Sequence, residues 1–406
     1  MDNCLAKALP SAETVPMKRF FPILLAALFA LPAAQAAPND LACGLYANLK
    51  DRPGNLFFSP FSVSTVLGMA ALGAKGTTAG ELTSLLWLPP IERQDLQDAL
   101  DACQAPESPV ELSLACSLWM DDALPILPSY TAALQSRYDA EIHPVDFAHA
   151  PEAARTGINR WTAERTHDRI RDLLGPGSIR PATKLVLVNA IYFKGRWQNP
   201  FESKRTEDAD FHLSGGTTVS VPLMHRTLDG AACLENDRFQ ALLIPYKGRT
   251  CSMLVLLPRE SVPLADLEAG LTSANLASWL SSMDYRKILL WLPRFKMEWG
   301  AVDLVPALRA MGLETVFGPA ADFSDITGAR DLQPDMVVHK AFVEVAEEGT
   351  EAAAATAVRF KALSARPAPE PPPIVFRADR PFLFAIIENS TRTVLFLGRL
   401  ENPTTN

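Results

Sequence analysis

Between Gly349 and Ser364 the charged residues fall only on odd positions. Glu351, Arg359 and Lys361 share one face, while Thr350, Ala352, Ala354, Thr356, Val358 and Phe360 share the other. Successive strand residues point to opposite faces, so this is the pattern of a strand with one side buried in a sheet. The next residues, Arg366-Pro367-Ala368-Pro369-Glu370-Pro371-Pro372-Pro373, cannot join it there. Proline has no N–H for the ladder, so this half favours an exposed, extended path. An alanine-rich helix competes for the first half, because alanine is the best helix former and Gly349-Thr350 could cap it. Position favours the strand, since the segment lies between two other strand patterns, Met336 to Val345 and Phe382 to Ile387.

Four motifs in order give the chain a resemblance. Glu347-Glu348-Gly349-Thr350-Glu351-Ala352-Ala353-Ala354-Ala355-Thr356 is similar to the hinge of inhibitory serpins. Val188 to Trp197 (V-N-A-I-Y-F-K-G-R-W), with Pro200-Phe201 after it, resembles a serpin signature. Asn55 to Ser64 (N-L-F-F-S-P-F-S-V-S) resembles the family's buried helix, and Pro381 to Pro403 its last strands. The resemblance covers nearly all of the chain beyond residue 36. It implies an α+β serpin fold, with mixed β-sheets, about eight or nine helices and an exposed reactive-centre loop at about 347–375.

Composition suits one large globular body, with 406 residues, 48% hydrophobic and 21% charged. No polar or Pro/Gly-rich linker divides the chain before residue 365, and the residues beyond the proline run are too few to fold alone. A single domain over 37–406 is therefore expected. Ahead of it, Lys18-Arg19 precede the apolar run Phe20 to Leu31, and Ala34-Gln35-Ala36 offers a small-residue cleavage site. That pattern predicts a secretory signal within 1–36, with Met17 an alternative start, and hence a secreted protein, extracellular or periplasmic. Cleavage would leave Cys43, Cys103, Cys116, Cys233 and Cys251. An odd count reads as no disulfide framework, with Cys103 and Cys116 the most plausible pair.

A net charge of −8 disfavours nucleic acid and anionic membranes as partners. The stretch Glu92 to Ala102, where some serpins carry a heparin-binding basic helix, holds Asp95, Asp98 and Asp101 against Arg93 alone, so heparin is not expected. Six histidines show no metal-ligand spacing and no G-x-S-x-G elbow occurs. Neither an enzyme, a metal nor a cofactor is expected.

The resemblance implies a monomeric suicide substrate. The loop would be offered to a serine protease, with cysteine proteases a second class, and the family spacing puts the reactive bond between Leu363 and Ser364. Leucine there suits the apolar pocket of chymotrypsin-like, elastase-like or subtilisin-like enzymes. The cleaved segment would then enter a sheet as a new strand, an established switching transition of this family. Thr350, Ala352 and Ala354 would be buried by it, and Gly349, Glu351 and Ala353 complete the hinge. The resemblance also implies a polar gate cluster of Ser59, Ser62, Asn189 and His339. It places the start of insertion at Trp197, Arg294 and Glu347, with Arg294 and Glu347 an ion pair. The alternative is a non-inhibitory serpin serving as carrier, chaperone or storage protein.

Overall fold

The computed structural model describes residues 39–86, 108, 110–140, 142–350 and 371–405. Nine α-helices and fifteen strands lie among them. In chain order the strands are β1 (Leu56–Phe58), β2 (Val110–Asp121), β3 (Ile142–Val145), β4 (Leu185–Arg196), β5 (Glu207–His212), β6 (Thr218–Glu235), β7 (Phe239–Pro245) and β8 (Cys251–Pro258). They continue with β9 (Asp284–Pro293), β10 (Phe295–Asp303), β11 (Met336–Ala346), β12 (Gly349–Thr350), β13 (Ile374–Arg377), β14 (Phe382–Glu388) and β15 (Val394–Leu400).

Two sheets hold these strands. One has the order β1-β15-β14-β8-β7-β6-β9-β13, with β5 on β6; the other runs β10-β11-β12-β4-β2-β3, with β11 also pairing β4 directly. From Leu185 to Phe193 only Asn189 breaks an apolar run, because β4 is buried on both faces over that length, and Lys194 and Arg196 come where burial ends. Ile191 and Phe193 point toward the other sheet and join Val343, Val345, Met253 and Phe396 in a shared core. Ala190 and Tyr192 point the other way. Phe57 stacks on Phe396 at 5.2 Å, and Phe193 meets the same ring edge-on at 5.8 Å.

Asn55 to Ser64 is only partly the helix that was expected. Leu56–Phe58 form β1 against β15, and the helix begins at Pro60, ending at Ala71. Ser59 is the reason for the change: its side chain accepts from Ser62 N, and proline at the first helical position loses no needed donor. Gly68 on this helix leaves room for Tyr138, whose hydroxyl a Cβ there would strike. A second helix, Pro151–Arg165, covers the outward side of the six-stranded sheet, where Ala154 and Ile158 meet Trp119, Val186, Val188 and Val338.

Cys43, Cys116, Cys233 and Cys251 are free thiols, so Cys116 carries no disulfide. Cys103, the leader segment and Glu92 to Ala102 lie outside the described residues.

Candidate functional site

The β4–β11 seam is closed at one end and split at the other. Seven register pairs join the two strands in parallel, from Met336↔Val186 to Phe342↔Tyr192. Beyond Phe342 the strands part, and β12 stands between them. Gly349 faces Ala346 and Arg196, and Thr350 faces Val345 and Gly195, antiparallel to both neighbours. The first two hinge residues are thus already a short strand inside the sheet.

Gly349 is there because nothing larger fits. A Cβ on it would run into Gly195 O and lie 2.6 Å from Arg196 Cα. Thr350 is fully buried, and its hydroxyl meets the Tyr246 hydroxyl at 2.7 Å. Burial pushes the Tyr246 phenol well above its ordinary pKa, so it stays neutral and can share one hydrogen with Thr350. Tyr246 in turn stacks on Trp197, ring centroids 4.7 Å apart and 9° from parallel.

The turn before the hinge is held from β4 and the segment just after it. Trp197 donates from its indole to Ala346 O at 2.9 Å and from its backbone to Glu348 O at 2.8 Å, and Phe201 N donates to Glu347 O at 2.7 Å. The Glu347 carboxylate accepts from Thr206 Oγ1 at 2.9 Å, and Arg294 Nη1 lies 3.6 Å from the same oxygen. The Arg294 side chain is 49% exposed. Glu351, Ala352, Ala353, Ala354, Leu363 and Ser364 lie outside the described residues.

At the closed end the four gate residues are fully buried together. His339 of β11 and Asn189 of β4 are register partners, and His339 Nδ1 is hydrogen-bonded to Asn189 Oδ1. Ser59 N donates to His339 Nε2 at 3.1 Å. A backbone N–H can only donate, so Nε2 is the bare nitrogen and Nδ1 carries the hydrogen. Burial lowers the imidazole pKa from 6.5 to about 3, which keeps it neutral at physiological pH. Ser62 Oγ donates to Asn189 Oδ1 at 2.8 Å, and Ser59 Oγ to Leu395 O at 2.6 Å. The gate therefore ties the helix at Pro60 to both seam strands and to β15.

Four further residues belong to the site although no motif pointed to them. Cys116 of β2 closes a ring, accepting from Asn189 Nδ2 at 3.6 Å and donating to Ser62 O at 3.7 Å. Burial pushes its thiol up to about 12. Tyr246 and Thr206 hold the hinge, as described. Lys340, buried on the outward side of β11, donates to Arg171 O at 2.7 Å and pairs with Glu298 at 2.6 Å. Cys116 and Lys340 left traces in the sequence, one as a candidate disulfide partner and the other as a lysine among the apolar residues of its strand.

The family profile described as Serpin (serine protease inhibitor) matches residues 36–403. Leukocyte elastase inhibitor of Bos taurus is 39% identical over 381 residues, covering 91% of this chain and 99% of that protein. Serpin B4 of Homo sapiens is 38% identical over 375 residues, covering 87% and 95%. Among solved structures, uncleaved ovalbumin superposes with a TM-score of 0.80 at 32% identity, covering 91% of this chain and 99% of that one. Human thyroxine-binding globulin complexed with its hormone gives 0.78 at 30%, covering 90% and 97%.

These relatives correct the expectation of secretion. Leukocyte elastase inhibitor and serpins B3 and B4 are intracellular serpins. The physical reason the reading failed is that a basic pair, a short apolar run and small residues are a compositional signal, with no fold to check them against. The rest of the comparison points one way. An inhibitor family matched from residue 36 to 403, relatives aligned over about nine-tenths of the chain, and a split six-stranded sheet make this chain a member of the serpin family.

Proposed function

We propose that this chain inhibits serine proteases as a suicide substrate, with a single domain over 37–406 and its reactive-centre loop at about 347–375. The observation that carries the reading is the two-residue strand Gly349–Thr350 wedged into a seam that is otherwise closed. The protease serine attacks the Leu363 carbonyl, the bond to Ser364 N breaks, and the departing amine takes up a proton. The enzyme is left esterified to Leu363 while the freed hinge feeds into the seam. Chymotrypsin-like, elastase-like and subtilisin-like enzymes are the candidate targets, with cysteine proteases a second class. The elastase inhibitor among the relatives agrees with an apolar residue at 363.

The observed register gives the alanines a reason. Thr350 faces Val345 and Gly195, and each step along the loop moves one residue back along both neighbours. Ala352 would meet Val343 and Phe193, and Ala354 would meet Ala341 and Ile191, all within the packed core between the sheets. Ala353 and Ala355 would come out on the other face, beside Phe342, Tyr192 and Ala190, which are also covered. Both faces of the slot are closed, so small side chains are needed on both. Thr356 would arrive opposite His339 and Asn189, and the hydrogen bond between those two would have to break. That is the role proposed for the gate formed with Ser59 and Ser62. Trp197, Arg294 and Glu347 would hold the point of entry.

About fourteen inserted residues at ~3.3 Å each span about 45 Å. At roughly 1 kcal/mol net per hydrogen bond the new ladder contributes on the order of 10 kcal/mol. Losing one oxyanion-hole donor costs a protease only ~3 to 4 kcal/mol, so a fraction of that drive suffices to stall release of the acyl-enzyme.

Mixing the protein with chymotrypsin and running a denaturing gel tests the reading. A band at the summed mass is the expected result; clean cleavage without it overturns the proposal. Leu363→Arg is expected to redirect trapping toward trypsin-like enzymes. Undiminished trapping of chymotrypsin by that variant would show that the reactive bond lies elsewhere. The second reading, a non-inhibitory carrier, chaperone or storage serpin, draws on the likeness to ovalbumin and thyroxine-binding globulin. It predicts the clean cleavage.

A further inference from the structure

Among the described residues two large apolar side chains are well exposed, Tyr285 at 79% and Val375 at 53%. Single exposed hydrophobics mean little, but these two share one surface. Val375 lies on the edge strand β13, which pairs in parallel with β9 through Ile374↔Ile288 and Val375↔Leu289. Ile374 and Phe376 face the core between the sheets. Alternation therefore turns Val375 and Arg377 outward, on the same side as Tyr285, Lys287, Leu289 and Trp291 of β9. The charges at its margin are paired, Arg377 with Asp379 at 2.8 Å and Lys287 with Asp229 at 3.6 Å. Arg377 also lies over the Trp291 ring at 5.6 Å.

Its place on the molecule suggests what covers it. Arg286 Nη2 reaches Pro372 O at 3.4 Å, so the patch stands where the reactive loop returns to the body. From Ser364 to Pro371 is seven residues (371 − 364). A chain of seven residues spans at most ~3.6 Å per residue, so the reactive bond lies within about 25 Å of Pro371. A protease domain of ~225 residues has a radius of gyration near 17 Å, and a compact sphere of that size a half-width of about 22 Å. An enzyme engaged on Leu363–Ser364 would overhang this surface.

We propose that the Tyr285–Val375 face is a second docking surface for the target protease, fitting an apolar rim beside that enzyme's active-site cleft. The proposal rests on the inhibitory reading above. It gives the chain a means of selecting among enzymes that all accept leucine.

The test uses a Tyr285→Ser/Val375→Thr double variant of the full chain, with both side chains on the surface and an unchanged melting temperature as control. Chymotrypsin, leukocyte elastase and subtilisin are compared, each as active enzyme and with its catalytic serine converted to dehydroalanine so that only docking is read. For at least one enzyme the affinity of the inactivated form and the rate of trapping by the active form are expected to fall together, by about fivefold. The stoichiometry of trapping is expected to stay the same. Unchanged affinity and rate for all three overturn the surface and leave the inhibitory reading standing. A parent chain that traps none of them overturns both. A parent that is dimeric by gel filtration and becomes monomeric in the double variant would instead assign the face to a second copy of this chain.

Discussion

The two ends of the β4–β11 seam are built in opposite ways. At the hinge end a two-residue strand already separates the neighbours, and its alignment depends on few groups: Tyr246, Trp197, Phe201 N and Thr206. At the gate end the strands pair directly, and His339, Asn189, Ser59, Ser62 and Cys116 form a buried network that leaves their main polar atoms satisfied. Parallel pairing is slightly weaker per residue than antiparallel, so a parallel seam is the natural place for the six-stranded sheet to part. The contrast shows where the fold stores resistance. Entry of the strand is begun, and the cost lies further along, where a satisfied polar network must be broken before new partners arrive.

The most damaging way to challenge that contrast is a charge at the point of entry. Thr350→Arg would bury a guanidinium against Tyr246 and Trp197 with no anion in contact, a cost the sheet cannot absorb. The hinge is expected to leave the seam while the body stays folded. Trapped complex with chymotrypsin should fall by more than tenfold, replaced by cleaved chain. If the variant traps at the parental stoichiometry, the hinge end does not control entry.

The gate end is challenged through pH. His339 is held neutral, with its pKa near 3 in the fold against an ordinary value near 6.5 once the chain unfolds. Between those two values the unfolded chain binds the extra proton, so stability rises with pH there. The contribution is complete above about pH 6.5 and is lost progressively as pH falls toward 3. A proton on Nε2 would also face the Ser59 N–H, donor against donor. In His339→Gln this component disappears. The variant is expected to be less stable at pH 7, by about 2 kcal/mol for a broken buried network, yet to lose less than the parent on acidification. Parallel slopes of melting temperature against pH for the two proteins would remove His339 as the titrating group.

Sequence reached the hinge more easily than its surroundings. The strand pattern of Met336 to Val345, the signature run that starts at Val188 and the grouping of His339 with Asn189 are local patterns or family motifs, and each has a place in the six-stranded sheet; of the alternation that begins at Gly349, only Gly349 and Thr350 fall among the described residues. Tyr246 lies 104 residues from the Thr350 it contacts, and nothing near it in sequence marks that contact. Cys116 read as a cysteine in search of a partner, whereas it serves as a small polarizable neighbour of Asn189. Phe61 is a large ring at the start of a helix, and nothing near it in sequence shows the space between the sheets that holds it at 6% exposure. Volume in a core is set by residues distant in the chain, and a local reading cannot sum them.

A smaller intervention sharpens the hinge end. Tyr246→Phe keeps the ring on Trp197 and removes the hydroxyl that meets Thr350. Thr350 Oγ1 would be left buried without that partner, a loss of about 1 kcal/mol. The chain holds seven tryptophans, so the readout is the emission change that a Trp197→Phe background abolishes, which reports whether the neighbouring hinge has moved. A change in that emission together with faster access of a protease to the loop is the expected pair. Emission and access identical to the parent would show that the hydroxyl pair does not hold the hinge.

The smallest effect belongs to Arg294. Its guanidinium is 3.6 Å from Glu347 and about half exposed, so water screens the pair and flexible side-chain entropy opposes it; such pairs contribute about 0 to 1 kcal/mol. Glu347 also keeps Thr206 as a donor, and its backbone remains fixed by Phe201 N. Arg294→Ala is therefore expected to lower stability by less than about 0.5 kcal/mol and to leave trapping stoichiometry within twofold. Salt separates this from a structural role. The parent should approach the variant as ionic strength rises from about 0.05 to about 0.5 M, where the screening length falls to about 4 Å. A loss of several kcal/mol that salt does not diminish would mean that the hinge turn depends on Arg294 for its shape. The hinge end would then depend on a charge, whereas the gate end is held by neutral groups alone.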